Sequence, residues 1–158
     1  MDRGSSLADG EIQIIPDANI FDPEVSNGAA STAWKAIMPD GSLVDPGTAG
    51  TLKYNSTFKL VTALDANTGT PNGSYTSMAH ESDINVPEIA KGLILYPDDP
   101  GGDYGGDWRW WNVEGERMPL CGGYWRGGSR YGVFCVDLNA PRSDRCRHLG
   151  ARSAFVEL

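Results

Sequence analysis

Residues 116–125 read ERMPLCGGYW, and three shorter pieces follow in order: GVF at 132–134, PRS at 141–143 and LGARSAF at 149–155. In the first piece, Gly122 and Gly123 precede Trp125, and glycine lets the backbone pack closely around an indole ring. Arg142 and Arg152 suit structural roles, because a planar guanidinium group can satisfy several carbonyl oxygens or a carboxylate at once. We call these four pieces the frame, and the residues between them are expected to lie in loops.

The stretch around the start of this frame is rich in tryptophan and glycine. Four of the five tryptophans lie between 108 and 125, and half of the 20 glycines lie between 101 and 132. Bulky anchors held by irregular backbone are typical of loops that carry function. Trp108, Trp110 and Trp111 can frame such a site, but core or loop-anchor roles are expected for at least two of them.

Acidic residues are concentrated just before the tryptophans. The segment contains Asp98, Asp99, Asp103 and Asp107, and its glycines and proline exclude regular structure. Such carboxylates suggest a glycosidase pair or a calcium site, but the spacing is not that of an EF-hand loop. A solvated acidic loop is the expected outcome. No metal ligand is assigned, and bound calcium stays open.

Upstream, the chain is predicted to form short strands and short helices joined by loops. Residues 1–10 are small and polar and are predicted to be a flexible N-terminal arm. The predicted elements are a strand over 11–15 ended by Pro16, a β-rich stretch over 51–64 that Asn55-Ser56 can break into a hairpin, a loop over 65–83 and a short helix over 84–93. Residues 31–38 are either a short helix capped by Ser31 or a strand carrying Trp34, and two further strands are predicted over 132–138 and 151–157.

Length and composition restrict the class of protein. The chain has 158 residues, 40% hydrophobic and 22% charged, which suits one domain with a core and excludes general disorder. No apolar run approaches the ~20 residues of a membrane span, and no signal peptide is expected. The net charge of −8 argues against a general nucleic-acid binder. Residues 121–158 are nevertheless basic, with six arginines against three acidic residues, which indicates a separate role for this segment.

The three cysteines do not form a recognisable chemical motif. Cys121, Cys135 and Cys146 are an odd number with irregular spacing and no CxxC pair, which is a poor disulfide framework or zinc site. Three independent thiols are expected, although one disulfide plus one thiol stays open. A catalytic cysteine would need His80 or His148 and an orienting group nearby, and the sequence indicates neither.

The four pieces of the frame resemble the C-terminal signature of the formylglycine-generating-enzyme-like branch of the C-type lectin fold. That signature runs from R-G-G-x-W through an apolar strand and P-R-x to G-F-R. The match is similar in particular to phage and prophage tail proteins, several relatives of which are diversified by retroelements. It covers about residues 93–158, with two departures: Cys121 replaces the usual arginine before Gly-Gly, and Ala151 replaces the usual phenylalanine.

The resemblance implies an α+β, loop-rich C-type lectin fold with short strands and about two short helices. A single lectin-like domain would span 11–158. Its lectin core would span 93–158, with the strands over 132–138 and 151–157 as the core pair. The variable ligand-binding region would lie at about 121–153.

The residues between the fixed points are the candidate ligand-binding residues. In retroelement targets the variable codons are largely Asn-type, and changing their adenines cannot produce Lys, Glu, Gln, Met or Trp. All eleven candidates obey that restriction, although loops in a glycine-rich frame often contain such residues anyway. The candidates are Tyr124, Arg126, Gly127, Arg130, Tyr131, Ala140, Asp144, Arg145, Cys146, Arg147 and His148.

The resemblance implies ligand recognition without catalysis or a cofactor. The family includes an enzyme that uses a cysteine pair, but the three cysteines of this chain do not fall where that pair would lie. The expected function is receptor binding at a phage tail tip in the virion, and the arginine-rich candidate set suits an anionic group on a host surface protein or glycan. A homo-oligomer is expected, because phage receptor binders are often trimers. The alternatives are a structural tail or baseplate component contacting other tail subunits, and a variable binder on a bacterial cell surface.

Overall fold

The computed structural model describes residues 5–16, 33–65, 69–122, 126–141 and 143–144. In these residues the chain forms short strands joined by turns, together with one α-helix. The strands are β1 (Ser5–Ala8), β2 (Glu11–Ile14), β3 (Lys35–Ile37), β4 (Leu43–Val44), β5 (Lys53–Tyr54), β6 (Lys59–Val61), β7 (Asn72–Ser74), β8 (Ala79–His80), β9 (Trp108–Trp111), β10 (Glu116–Arg117), β11 (Leu120–Cys121) and β12 (Val136–Leu138). The helix α1 spans Glu88–Gly92, and single 3-10 turns span Tyr75–Ser77 and Gly128–Arg130.

The strands form two sheets, and the chain passes between them several times. The larger sheet has the order β10-β1-β2-β5-β6-β8, and β3 pairs with both β2 and β4. The smaller sheet has the order β11-β12-β9-β7, and its central strands β9 and β12 are parallel, with Val136 opposite Arg109. The chain leaves β9, adds β10 to the larger sheet, and returns through β11 to β12. This crossover ties the two sheets together.

The first two strands form a hairpin. Its two-residue turn is Asp9-Gly10, with φ of 47° and 77°, as a type I′ turn requires. A Cβ on Gly10 would lie 2.8 Å from the carbonyl oxygen of Tyr54, so glycine is also needed there for space. Residues 5–10 therefore form a strand and a turn, rather than part of the flexible arm expected over residues 1–10.

An aromatic stack joins the two sheets. Trp111 on β9 is fully buried between the rings of Tyr54 and Phe58, and both centroid separations are 4.5 Å. Its indole nitrogen donates a hydrogen bond of 2.8 Å to the carbonyl oxygen of Asn55, so its only polar atom is satisfied. The apolar side chains packed into the same core include Leu7, Ile12, Ile37, Leu52, Leu60, Tyr75 and Leu138.

Three of the upstream predictions agree with the structure. The strand over 11–15 is confirmed as β2, which ends before Pro16. The hairpin within 51–64 is confirmed as β5 and β6, and the amide oxygen of Asn55 accepts hydrogen bonds from the backbone of Thr57 and of Lys59 in its turn. Of the two alternatives over 31–38, the structure shows the strand, β3.

The prediction of a loop over 65–83 is wrong, because this segment contains β7, a 3-10 turn and β8. The three residues of β7 are Asn72, Gly73 and Ser74, which have low strand propensity. They are held by pairing with β9, where Gly73 lies opposite Arg109. A Cβ on Gly73 would lie 3.0 Å from the ring of Phe58. Pairing with β9 and packing against Phe58 therefore determine that β7 forms, whereas its own three residues do not favour a strand.

The remaining elements are shorter than predicted. The helix predicted over 84–93 is α1, five residues long, and within the predicted strand over 132–138 only Val136–Leu138 is extended. The strand predicted over 151–157 lies outside the described residues. The described chain is thus a small, mostly β, loop-rich fold with one short α-helix, where about two were expected. No helix in this part of the chain has the length and apolar character to span a membrane.

Candidate functional site

Strand β9 divides its side chains between the core and the surface. Alternate residues of a strand point to opposite faces. Arg109 and Trp111 are buried, whereas Trp108 and Trp110 are half-buried on the other face, with their ring centroids 5.9 Å apart. Two of the three clustered tryptophans therefore lie at the surface, and only Trp111 is a core residue.

Two of the candidate residues lie against these surface indoles. The guanidinium carbon of Arg130 lies 4.2 Å from the ring centroid of Trp108, a cation–π geometry. The ring of Tyr131 stacks on Trp110 with centroids 5.0 Å apart and planes 21° apart. We call Trp108, Trp110, Arg130 and Tyr131 the indole patch. It combines side chains from β9 with side chains from the loop that follows β11.

A buried carboxylate holds this loop in place. Asp107, only 3% exposed, immediately precedes β9. Its two oxygens accept hydrogen bonds from the backbone nitrogens of Gly132 (2.6 Å) and Phe134 (2.8 Å), and charge-assisted bonds of this kind are stronger than neutral ones. A Cβ on Gly132 would lie 2.5 Å from the carboxylate, so only glycine allows this approach. The contact fixes the loop to the start of β9.

Gly127 is sterically coupled to Tyr131. Its backbone, at φ −88° and ψ −6°, is open to any residue. However, a Cβ there would lie 1.9 Å from Cδ2 of Tyr131 and 2.7 Å from its Cγ. Because Cγ is the fixed end of the ring, a rotation about the ring axis does not remove the clash. A side chain at 127 and the stacked position of Tyr131 therefore exclude each other.

We expect Gly127→Ala to displace Tyr131 from Trp110 without unfolding the protein. The measurement is the indole NH resonance of Trp110 by NMR, which the stacked ring shifts. Gly127→Ala should move this resonance toward its position in Tyr131→Ala, and the double variant should add no further shift. A resonance unchanged from the parent protein would contradict the coupling.

The other candidate residues are not part of the indole patch. Arg126 is exposed two residues before the 3-10 turn that contains Arg130. Ala140 and Asp144 follow β12, where the carbonyl oxygen of Ala140 accepts a hydrogen bond from Met118. Pro141 and Ser143, from the same region, line a cavity of about 540 Å³. Outside the described residues lie Tyr124, Arg145, Cys146, Arg147 and His148.

A cleft of about 320 Å³ adjoins the indole patch. The rings of Tyr104, Tyr131 and Phe134 line it, together with Asp103 and Val133. Val133 is 84% exposed, and Tyr131 belongs to both the cleft and the patch. We call this the Tyr104 cleft.

The Tyr104 hydroxyl ties the cleft to the acidic loop. It donates a hydrogen bond to the carboxylate of Asp98 and accepts one of 3.1 Å from the backbone nitrogen of Asp99. The bond from Tyr104 holds the pKa of Asp98 below its ordinary value, and the same bond raises the pKa of Tyr104. Asp98 is therefore charged at neutral pH. The acidic segment, expected to be a solvated loop, is also held by hydrogen bonds to the Tyr104 hydroxyl.

A buried cation lies under the same group of rings. Arg109 is 1% exposed, and its guanidinium carbon lies 4.3 Å from the ring centroid of Tyr75. One guanidinium nitrogen is 3.4 Å from both the Tyr54 hydroxyl and the Leu95 carbonyl oxygen, while Nε finds no hydrogen-bond partner among the described residues. One ring face and two neutral oxygens therefore contact this buried charge.

The described part of the site offers few candidate nucleophiles or metal ligands. Burial raises the pKa of the Cys135 thiol to about 11, so Cys135 is protonated and a poor nucleophile at neutral pH. Burial also raises the pKa of Asp137, with a further contribution from nearby Asp144. Among the residues that the structure describes, no group of three or more His, Cys, Asp or Glu is placed to hold a metal ion.

The sequence indicates the loop but not the contact that positions it. The acidic composition of 98–107 predicts a solvated Asp107, and this prediction is wrong: Asp107 is buried and accepts two backbone hydrogen bonds. Its position directly before an alternating Trp-Arg-Trp-Trp strand was the available signal. Comparison with protein-family models and with curated proteins finds no match to this chain.

Proposed function

We propose that this chain is a non-catalytic ligand-binding protein with a C-type lectin fold that displays a diversified surface. In this proposal it is a phage tail protein that recognises the host cell. The resemblance of residues 93–158 to such tail proteins supports the family. The geometry of the loop at 126–134 supports the division between a constant frame and changeable side chains.

The observation that carries the proposal is the placement of four candidate residues on one anchored loop. Arg126, Gly127, Arg130 and Tyr131 lie within six positions, and the Asp107 carboxylate holds the same loop by its backbone. These two bonds go to backbone nitrogens, so they do not depend on the side chains at 126, 130 and 131, although the contact requires glycine at 132. Substitution at 126, 130 or 131 therefore leaves the anchor intact, as a variable binding surface requires.

The side chains present suit recognition. Tyrosine gives a large contact area at low conformational cost, and arginine gives bidentate pairing and ring stacking. Because Arg130 and Tyr131 already lie on indoles, part of the entropy of ordering them is lost before the ligand arrives. The exposed Arg126 and Arg130 favour an anionic group on the ligand.

The test is binding of the purified protein to host cells and to surface glycans. The variant Arg126→Ala/Arg130→Ala/Tyr131→Ala should lose affinity about tenfold or more, because arginine and tyrosine are frequent hot-spot residues. The matched control is Lys59→Ala/Lys91→Ala/Leu64→Ala, which removes two cations and one apolar side chain from β6, α1 and the β6–β7 connection. The control should bind as the parent does. Equal loss in both variants, or in neither, would contradict a binding surface on the loop at 126–131.

One observation favours the structural alternative. Val133 is 84% exposed on the anchored loop, and a neighbouring tail subunit would cover it. If the loop is an assembly contact, Val133→Asp should prevent incorporation into particles while leaving binding of the isolated protein to cells unchanged. If the loop is a receptor surface, the same variant should assemble and lose cell binding.

A further inference from the structure

The Tyr104 cleft has a chemistry that differs from that of the arginines beside it. Three aromatic rings, from Tyr104, Tyr131 and Phe134, line it. Among the described residues that line it, the charged side chains are those of Asp103 and Asp107. The cleft is therefore aromatic and anionic, whereas Arg126 and Arg130 are exposed and cationic.

The carboxylates of the cleft accept hydrogen bonds from the described part of the chain at some, but not all, of their oxygens. Both oxygens of Asp107 accept backbone hydrogen bonds. Asp103 is exposed, and one of its oxygens accepts a hydrogen bond of 2.9 Å from Gly105, while the other accepts none from the described residues. Asp98 adds a further charge at the Tyr104 hydroxyl. The cations near these carboxylates include Arg109, Arg130 and Lys91, which lies close enough to act on Asp98.

Aromatic rings and carboxylates together favour one class of ligand. The face of an aromatic ring attracts a cation, most strongly where water is excluded, and recognition of organic ammonium groups commonly uses this attraction. Cations already occupy two ring faces close to the cleft. Arg109 lies over Tyr75, whose ring packs against Tyr104 and Phe134, and Arg130 lies over Trp108. A volume of about 320 Å³ is at the small end of ligand pockets and suits a head group better than a whole glycan.

We propose that the Tyr104 cleft binds an organic ammonium group, quaternary or primary, carried by the surface ligand. The identity of that ligand as a host surface molecule rests on the proposed function, but binding of the ammonium group does not. With Arg130 next to the cleft, a zwitterionic ligand would place its anionic group on the arginines and its ammonium group among the rings. Asp103 would contact the ammonium group, and Tyr104 and Phe134 would supply ring surface.

The test is an NMR titration of the purified chain with choline chloride at constant ionic strength. The amides of Gly105, Gly132 and Phe134 report on the cleft, because they bond its two carboxylates. Choline should shift these amides saturably. The neutral isostere 3,3-dimethyl-1-butanol should bind at least tenfold more weakly. For a primary ammonium group the matched pair is glucosamine and N-acetylglucosamine, and glucosamine should bind more tightly.

Two variants test the assigned side chains. Asp103→Asn, which changes an exposed residue, should weaken choline binding at least threefold, and Asp83→Asn, which removes an exposed carboxylate next to β8, should not change it. Equal binding of choline and its neutral isostere would overturn the proposal, as would the absence of saturable shifts up to 100 mM. Choline binding combined with no role of the indole patch in cell binding would overturn only the proposed function.

Discussion

Trp111→Ala should destabilise the fold more than any other single substitution at a tryptophan of β9. The indole fills the space between Tyr54 and Phe58 and donates to the Asn55 carbonyl oxygen. Its removal leaves a cavity and an unpaired buried carbonyl group, and large-to-small core changes of this kind cost about 3–5 kcal/mol. That cost is a large fraction of the ~5–15 kcal/mol by which a domain is stable. The measurement is the free energy of unfolding from urea titration.

The matched control is Trp110→Ala, which removes the same side chain from the neighbouring position on the outer face. Since Trp110 is only half-buried and stacks on Tyr131, its loss should cost far less. Trp111→Phe should recover part of the lost stability, because it restores a ring to the stack but not the hydrogen bond. Equal destabilisation by the two alanine variants would show that the stack does not join the sheets.

Asp107→Asn is expected to release the loop at 126–134 while the rest of the fold persists. The amide that replaces the carboxylate keeps one acceptor and puts a donor opposite a backbone N–H. Hydrogen bonds to charged groups contribute about 1.5–3 kcal/mol each, so we expect a loss of roughly 2–4 kcal/mol at this contact. Hydrogen exchange of the Gly132 and Phe134 amides should accelerate, and the Trp110 indole resonance should move as Tyr131 leaves it.

The control for this prediction is Asp137→Asn, at a half-buried aspartate that accepts one backbone hydrogen bond, from Asn139. It should leave the Gly132 and Phe134 amides protected. Gly132→Ala should reproduce the effect of Asp107→Asn, because its Cβ would occupy the space of the carboxylate oxygen. If the two amides exchange slowly in Asp107→Asn, other contacts hold the loop.

Local sequence predicted the elements whose causes are local. Pro16 ends a strand and Asn55 organises the turn of a hairpin, and both effects act over a few residues. Asp9-Gly10 carried an equally local turn signal, and the arm prediction over residues 1–10 overlooked it. In contrast, β7 forms only because β9 lies beside it, and no property of Asn72-Gly73-Ser74 indicates this. Tertiary pairing overrides strand propensity in such segments.

In the candidate site, too, the features with local causes were predictable and those that depend on distant residues were not. Tyrosine, arginine and glycine on a loop were recognisable by type, and Arg130 and Tyr131 do lie at the surface beside tryptophan. Burial of Asp107 was not recognisable, because a carboxylate in an acidic stretch is usually solvated. Burial of Arg109 was equally hidden, since its stabilisation comes from Tyr75, Tyr54 and Leu95, which are distant in sequence.

The pairing of β1 with β10 has a consequence for synthesis. Leu7 lies opposite Arg117, so one edge of β1 stays unpaired until the ribosome has made more than a hundred further residues. At about 5–20 residues per second this interval is on the order of ten seconds. An open strand edge over that time is a template for pairing with another nascent chain. Expression yield should therefore respond to chaperone supply and temperature more strongly than the stability of the finished protein would suggest.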